Sequence, residues 1–410
     1  MRGDRAGAGR IPLRLRRRRR RACRLAVRGV VIPSLLIAAQ PVDAGVAVCV
    51  EQQTRAALNR GYDVAVVCPP THRGPLAQWV KGAGATHIPL DMTRSPGPRD
   101  LSHALALRRL MSRVDLVHAH SSKAGALTRL AAWSMTNRPP IIFSPHAWSW
   151  LVGGSMSRLY LPIERFLASH TSVFVAVGEG EAALGRAALP GSDIIVVPNG
   201  VDTDFWRPDG PVAPRPPGRL IVCVGRLSRQ KGQDIAIEAL AKLGRRDVIL
   251  RLLGDGPARG ELTELASALG VSDRVEFWGP VPDPDRHLRA ADIVVVPSRW
   301  DGMSLALLEA MAVGTAIVAT DVPGTEILGE AGVVIPIEDV GCLAAAIGEL
   351  LDVDQRREQM AAAARQASMN HSLTDSLSSL ISVWEETMAM ASRARPNETL
   401  RVDSIRSRHR

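Results

Sequence analysis

From residue 29 onward, short runs rich in β-branched residues alternate with longer amphipathic stretches, and that alternation confines the chain to β-α units wound onto parallel sheets. The runs fall at 29–37, 63–68, 115–119, 141–144, 172–177 and 194–198, then again at 220–224, 248–253, 274–277, 293–296, 316–319 and 332–335. A chain of 410 residues is also too long for one hydrophobic core. Two doubly wound α/β domains follow. Residues 208–218 divide them, because five prolines (Pro208, Pro211, Pro214, Pro216 and Pro217) suit neither a helix nor a central strand. The expected layout is a first domain at 29–207, a Pro-rich hinge at 208–218 and a second domain at 219–392, whose last helix is free to cross back to the first. A Pro/Gly/Ser loop interrupts the first domain at 91–99, and no solenoid repeat is present.

The formal charge of +10 invites a polyanion partner until it is located. Residues 1–28 hold twelve arginines against Asp4, and residues 393–410 hold six against Glu398 and Asp403. These tails carry +11 and +4, so residues 29–392 are left at −5, a mildly acidic body not built for specific nucleic-acid binding. The N-terminal tail reads as basic and disordered. Its role stays open between an extension without function, attraction to an anionic membrane surface at roughly 1 kcal/mol per charge, and nucleic-acid binding. The arginines and the apolar residues 30–39 also imitate a secretory leader with Ala38-Ala39-Gln40 as its cleavage site. Pro33 interrupts that stretch, which falls short of the ~20 residues a membrane span needs, and cleavage would remove the first strand. A cytoplasmic protein is expected. The five cysteines lack CxxC or His-Cys spacing, so neither a zinc site nor a disulfide framework is indicated.

Two local patterns carry chemistry. The run 220–224 ends in Gly225-Arg226-Leu227-Ser228-Arg229-Gln230-Lys231-Gly232, which sets Arg226 and Lys231 at the carboxyl end of a strand, where open α/β sheets bind ligands. A guanidinium fork and an ammonium can together neutralise a diphosphate, and a solvated basic loop is the alternative. The run 293–296 leads through Pro297-Ser298-Arg299-Trp300-Asp301-Gly302-Met303-Ser304 into a helix holding Leu305 and Glu309. The amides of Gly302, Met303, Ser304 and Leu305 can meet an anion or sugar hydroxyls. Asp301 and Glu309 are eight apart, about two helical turns, so they share a face if Asp301 caps the helix. Carboxylates accept from vicinal hydroxyls, which suits a ribose and a hexose. A capping Asp beside a solvated Glu is the alternative.

At this point the sequence resembles the GT-B fold retaining glycosyltransferases of family 4, the glycosyl transferases group 1, over residues 29–392. The resemblance rests on Pro198-Asn199-Gly200-Val201-Asp202, Gly225-Arg226-Leu227 with Lys231-Gly232, Gly254-Asp255-Gly256-Pro257, Asp292 with Pro297-Ser298, and Asp301-Gly302-Met303-Ser304 through Glu309 to Gly314. It implies two Rossmann-like domains facing across a cleft, with the nucleotide-sugar donor in the second. It further implies that Arg226 and Lys231 bind the donor diphosphate, that Glu309 accepts from the ribose, and that Asp301 holds the sugar where the family has Glu. Val281 would lie by the base. Gly45 falls where the family has a glycine-rich loop near donor phosphate and acceptor, with Ala44 in place of a customary glycine. His146, in Ser144-Pro145-His146-Ala147-Trp148, matches a histidine beside the reacting centre, and His118 and His120 rank after it.

The chemistry implied is retaining transfer to a hydroxyl without a protein nucleophile, a cofactor or a metal. Asp202-Thr203-Asp204, Asp283-Pro284-Asp285 and Asp352-Val353-Asp354 imitate a metal-binding DxD but fit no diphosphate-facing strand end. The partners implied are a nucleotide-sugar donor and a sugar or lipid-linked acceptor for a cell-surface polysaccharide or glycolipid, with peripheral contact to an anionic inner membrane face. A nucleotide-sugar epimerase on the same fold, and a basic nucleic-acid-binding protein driven by the tails, are the competing readings. Trp133, Trp148 and Trp150 are expected to pack inside, with sugar stacking or a membrane interface as alternatives.

Overall fold

A computed structural model describes residues 32–152 and 157–394, so the N-terminal tail and the C-terminal tail from residue 395 lie outside the described residues. Within them the strands form two sheets, and every pairing is parallel. The first takes β1 (Ser34–Ala39), β2 (Asp63–Cys68), β3 (Thr86–Pro89), β4 (Leu116–His120), β5 (Ile141–Ser144), β6 (Val173–Ala176) and β7 (Ile194–Val196), in the order β3-β2-β1-β4-β5-β6-β7. The second takes β8 (Arg219–Val224), β9 (Val248–Leu253), β10 (Val275–Gly279), β11 (Ile293–Val296), β12 (Ala316–Thr320) and β13 (Val333–Ile335), in the order β10-β9-β8-β11-β12-β13.

The strands are apolar on both faces because helices cover both. In β1, Leu36 and Ala38 enter one core layer while Leu35, Ile37 and Ala39 enter the other. In β8, Ile221 and Cys223 oppose Leu220 and Val222 in the same way. Each sheet grows outward in two directions from a switch point, between β1 and β4 in the first and between β8 and β11 in the second. A crevice opens there at the carboxyl ends of the strands.

Two local differences from the expected strands have physical causes. β1 begins at Ser34, since Pro33 has no N–H to donate; its carbonyl instead accepts from Asp63 N at 2.9 Å. β3 was not expected, because Thr86-His87-Ile88-Pro89 is an edge strand with only Ile88 buried and no alternation to read.

The chain returns to the first sheet at its end. Val201 pairs with Ser372 next to the start of the helix Leu373–Ala394, whose Leu380, Val383 and Trp384 share a core with Leu35, Ile37, Val64 and Val66. Trp384 is fully buried, lies edge-on to Tyr62 at 5.9 Å and donates from Nε1 to His118 Nδ1 at 3.2 Å. The Pro-rich segment 208–218 is anchored to the second half, where Arg289 donates to the carbonyls of Arg207 and Pro211, and Arg251 to that of Pro214.

Candidate active site

The two crevices face each other and enclose a cavity of about 780 Å³. From the second half it is lined by Arg226, Ser228, Lys231 and the turn Trp300 to Leu305, and from the first by Asp43, Ala44, Gly45, Ser121, Lys123, His146 and Ala147 among others. Arg226 leaves the end of β8, and Lys231 follows in a short 3-10 turn. That turn is possible because Gly232 takes φ +67 and lies against the Pro297 carbonyl, which a Cβ would approach to 1.9 Å. The packing delivers both cations to the β8/β11 switch point.

The carboxylates are arranged differently from the expectation. Asp301 does not cap the helix Leu305–Val313, since Ser304 holds the capping position. Asp301 sits in the preceding turn and accepts a short hydrogen bond from Lys231 Nζ, with Ser298 Oγ and its neighbour Gly302 N as weaker donors. Glu309 is partly buried behind the cavity and does not line it. Burial pushes its carboxyl up to about 7, and Lys231 pulls it back. Val281 is also off the cavity and packs against the core of the second half.

Across the cleft the backbone is strained. Five described non-glycine residues have positive φ, and four of them, Ala44 (+57), Ser121 (+65), His146 (+52) and Ala147 (+80), line the cavity. Such conformations cost on the order of 1–3 kcal/mol each and persist only where surroundings enforce them. Ala44 occupies a left-handed position that a glycine would take freely, which accounts for the customary glycine there. Gly45 faces Leu305 with room to spare, as a Cβ would stand 3.8 Å from its side chain. Gly302 is tighter, since a Cβ would reach 2.8 Å from Val177. With Asn199 Nδ2 donating to Met303 O at 2.8 Å, the second half's turn is seated on the first.

Glu181, which sequence reasoning missed, enforces the His146–Ala147 turn. It is buried, accepts from Ala147 N at 2.6 Å and Val177 N at 2.8 Å, and burial pushes its carboxyl up to about 7 against those two bonds. For Glu181 and Glu309 alike the folded-state pKa lies above the usual carboxylate value. The folded state therefore holds their protons more tightly, and these groups subtract stability as pH rises from about 4.5 through about 7.

His146 belongs to a set of three. His120 Nδ1 lies 2.9 Å from His146 Nε2, and His118 Nε2 lies 2.9 Å from Ser144 Oγ. Burial holds His146 down at about 4 and, with His146 nearby, His118 at about 3. Burial and the neighbouring His118 and His146 hold His120 well below the usual imidazole range. All three are neutral at pH 7. His120 Nε2 is buried without a partner, and a bare acceptor costs less there than a stranded N–H. The proton of His120 then sits on Nδ1 and is donated to His146, leaving His146 with its own proton on Nδ1. His146 is a neutral hydrogen-bond donor at the cavity wall.

Among the described residues no group of three or more His, Cys, Asp or Glu comes together as a metal site. The three DxD tripeptides are engaged elsewhere: Asp202 accepts from Asp204 N and Phe205 N, Asp285 pairs with Arg289, and Asp352 and Asp354 pair with Arg245 and Arg357. No described helix is long and apolar enough to cross a membrane. Of the tryptophans, Trp148 is buried and stacks on Trp150 at 4.5 Å, whereas Trp133 is 60% exposed, against expectation.

Two facing parallel-sheet domains with a basic switch-point loop in the second are the architecture of GT-B glycosyltransferases. The structure of Alr3699/HepE from Anabaena in complex with UDP and glucose matches with a TM-score of 0.73 at 20% identity, over 85% of this chain and 98% of that one. Residues 44–205 match the model for Glycosyltransferase Family 4, and residues 218–353 match that for glycosyl transferases group 1. The D-inositol 3-phosphate glycosyltransferase of Xylanimonas cellulosilytica is 30% identical over 424 residues, covering 90% of this chain and 99% of that protein. The GDP-mannose-dependent alpha-(1-6)-phosphatidylinositol monomannoside mannosyltransferase of Mycobacterium tuberculosis is 30% identical over 70% of this chain and 82% of its own length. The chain belongs to the group 1, family 4 glycosyltransferases and is a transferase enzyme.

Proposed function

We propose that this enzyme moves a hexose-type sugar from a nucleoside-diphosphate sugar to a hydroxyl acceptor, with retention and without a metal, in the synthesis of a cell-surface polysaccharide or glycolipid. The observation that carries this reading is the convergence of Arg226 and Lys231 on the cavity at the β8/β11 switch point. Two cations there can hold the donor diphosphate and stabilise the charge that grows on it as the sugar leaves, the task a metal would otherwise serve. Lys231 is held by Asp301, so a bound sugar shares Asp301 with that lysine. The amides from Gly302 to Leu305 add donors for the sugar or its phosphate, and neutral His146 donates across the cleft to a sugar hydroxyl. In the transfer, the anomeric carbon's bond to the diphosphate oxygen breaks while its bond to the acceptor oxygen forms on the same face, and the acceptor proton passes to the departing diphosphate. The relatives name different nucleotides, UDP in one and GDP in another, so the base is left to experiment.

Glu309 provides a test with a defined sign. From its place behind the cavity wall the side chain has to turn toward the donor to meet the ribose; as a carboxylate it then accepts from both hydroxyls, and as the neutral acid it accepts less strongly. Since burial places its pKa at about 7, donor affinity should rise as pH increases from about 6 to about 8. Glu309→Gln should bind the donor roughly tenfold or more weakly and lose that pH dependence, as measured by calorimetric titration across this range. Equal affinity and an unchanged profile in the variant would refute the ribose assignment.

A further inference from the structure

The cavity does not end at the reacting centre. It continues into the first half between the helices Ser122–Trp133 and Ser157–Ala168, where Ala126, Leu127, Leu130, Ile163, Phe166 and Leu167 form its walls. At the outer rim Phe166 is 50% exposed and meets Trp133 edge-on at 5.8 Å. Leu159 and Ile163, 53% and 46% exposed, lie on the same helix face as Phe166 at spacings of four and three residues. Scattered exposed apolar residues are ordinary, but a contiguous set opening from a substrate cavity marks a binding surface.

The polar groups of this stretch restrict what it can hold. Glu164 faces the cavity, yet both of its oxygens are taken by the fully buried Arg129 at 2.7 and 3.1 Å. Lys123, at the inner end, is committed to Asp100 and the Ser95 carbonyl. Ser122 at the same end and Tyr160 are the other polar lining side chains that the two helices supply, and Ser149 adds a buried hydroxyl from outside them. A saccharide entering the apolar stretch would leave many of its hydroxyls without partners, each buried one paying its desolvation unrewarded, whereas a hydrocarbon chain has no such groups to strand. The rim has a charge preference as well. Arg158 and Arg165 are exposed on the helix Ser157–Ala168, Arg165 donating from Nε to the Ala188 carbonyl at 3.0 Å, while its one acid, Glu164, is already neutralised. Neither arginine lines the cavity, but the helix that walls it turns net positive charge to solvent, which suits an amphiphile with an anionic headgroup region.

We propose that this groove takes the hydrocarbon chain of a lipid-linked acceptor and so brings the acceptor's hydroxyl to the reacting centre beside His146 and Gly45. The assignment rests on reading the opposite end of the cavity as the donor site.

The test uses the full chain and a series of n-alkyl β-glucosides, hexyl, octyl and decyl, each below its micelle concentration, with binding followed by calorimetry. Affinity should climb roughly fourfold for each methylene taken up in the wild type. It should lose that dependence in Ile163→Glu and in Phe166→Ser, both at exposed positions where the fold tolerates change, while stabilisation by UDP, GDP or ADP is unaltered. Binding independent of chain length in the wild type, or a dependence that survives in both variants, overturns the proposal. A concentration-dependent dimer that Phe166→Ser dissolves, with no alkyl glucoside bound, overturns it in favour of a second copy on this face. Chain-length dependence without any response to the three nucleotides supports the groove and sinks the donor reading instead.

Discussion

Arg226→Ala is expected to lower kcat/KM for sugar transfer by roughly 10²–10³-fold while the fold survives, as removal of one preorganised donor to a developing anion does elsewhere. The substitution is clean because of what it leaves behind. Arg226 is 30% exposed, and its partner across the cleft, Asp43 at 3.6 Å, is 47% exposed and can be hydrated when the guanidinium is gone. Lys231→Ala should cost transfer a similar factor, but it also leaves Asp301, 14% exposed, without its cation beside the neighbouring carboxyl of Glu181. Lost stability is therefore expected in Lys231→Ala and should be restored by adding Asp301→Asn, with transfer still impaired. Steady-state kinetics with a saturating acceptor separate the two effects. Unchanged turnover in Arg226→Ala would end the diphosphate assignment.

Trp384→Ala should be the most destabilising single truncation in the last helix. The indole is wholly buried between the helix Leu373–Ala394 and the first sheet, and its N–H satisfies His118 Nδ1 inside a neutral histidine cluster. Truncating a buried tryptophan costs about 3–5 kcal/mol, and the buried imidazole acceptor loses its partner. Scanning calorimetry should show Tm falling by roughly 5–10 °C, with Trp384→Phe intermediate because it keeps the packing and loses only the hydrogen bond. The helix ties the second half to the first, so Trp384→Ala should also loosen the cleft. A fall under about 2 °C would contradict that account of the crossing helix.

How much was legible in the sequence depended on how local each feature is. Strand, turn and helix around Asp301 to Glu309 are contiguous, so the donor-side turn could be read from residues that are neighbours in the chain. The pairing of Asp301 with Lys231 could not, because the partners are 70 residues apart and meet only when β8 and β11 lie side by side. Expecting Asp301 as a helix cap followed from its spacing alone, and the helix starts later, at Leu305, because the glycine turn runs on to Ser304. Glu181 left no usable signal: a glutamate in the first turn of a helix is commonplace, and its purpose appears only once it is seen holding Ala147, 34 residues earlier, in a strained turn. His118 and His120 ranked behind His146 in the sequence, whereas the structure places His120 Nδ1 2.9 Å from His146 Nε2, so that the protonation of the two rings is coupled. Trp133 was misjudged because an apolar residue at a helical position is usually core, and here the helix leaves it at the surface against Phe166.

On the proposed reading, the cleft between the two sheets holds a nucleoside diphosphate through Arg226 and Lys231. The direct measurement is thermal unfolding in the presence of UDP, GDP and ADP and of the corresponding nucleosides, since a ligand at a hundred times its Kd adds ~2.7 kcal/mol to the folded state. At least one of the diphosphates should raise Tm, its nucleoside should not, and the rise should vanish in Arg226→Ala. A rise of equal size with the nucleoside, or one that persists undiminished in Arg226→Ala, would contradict the claim.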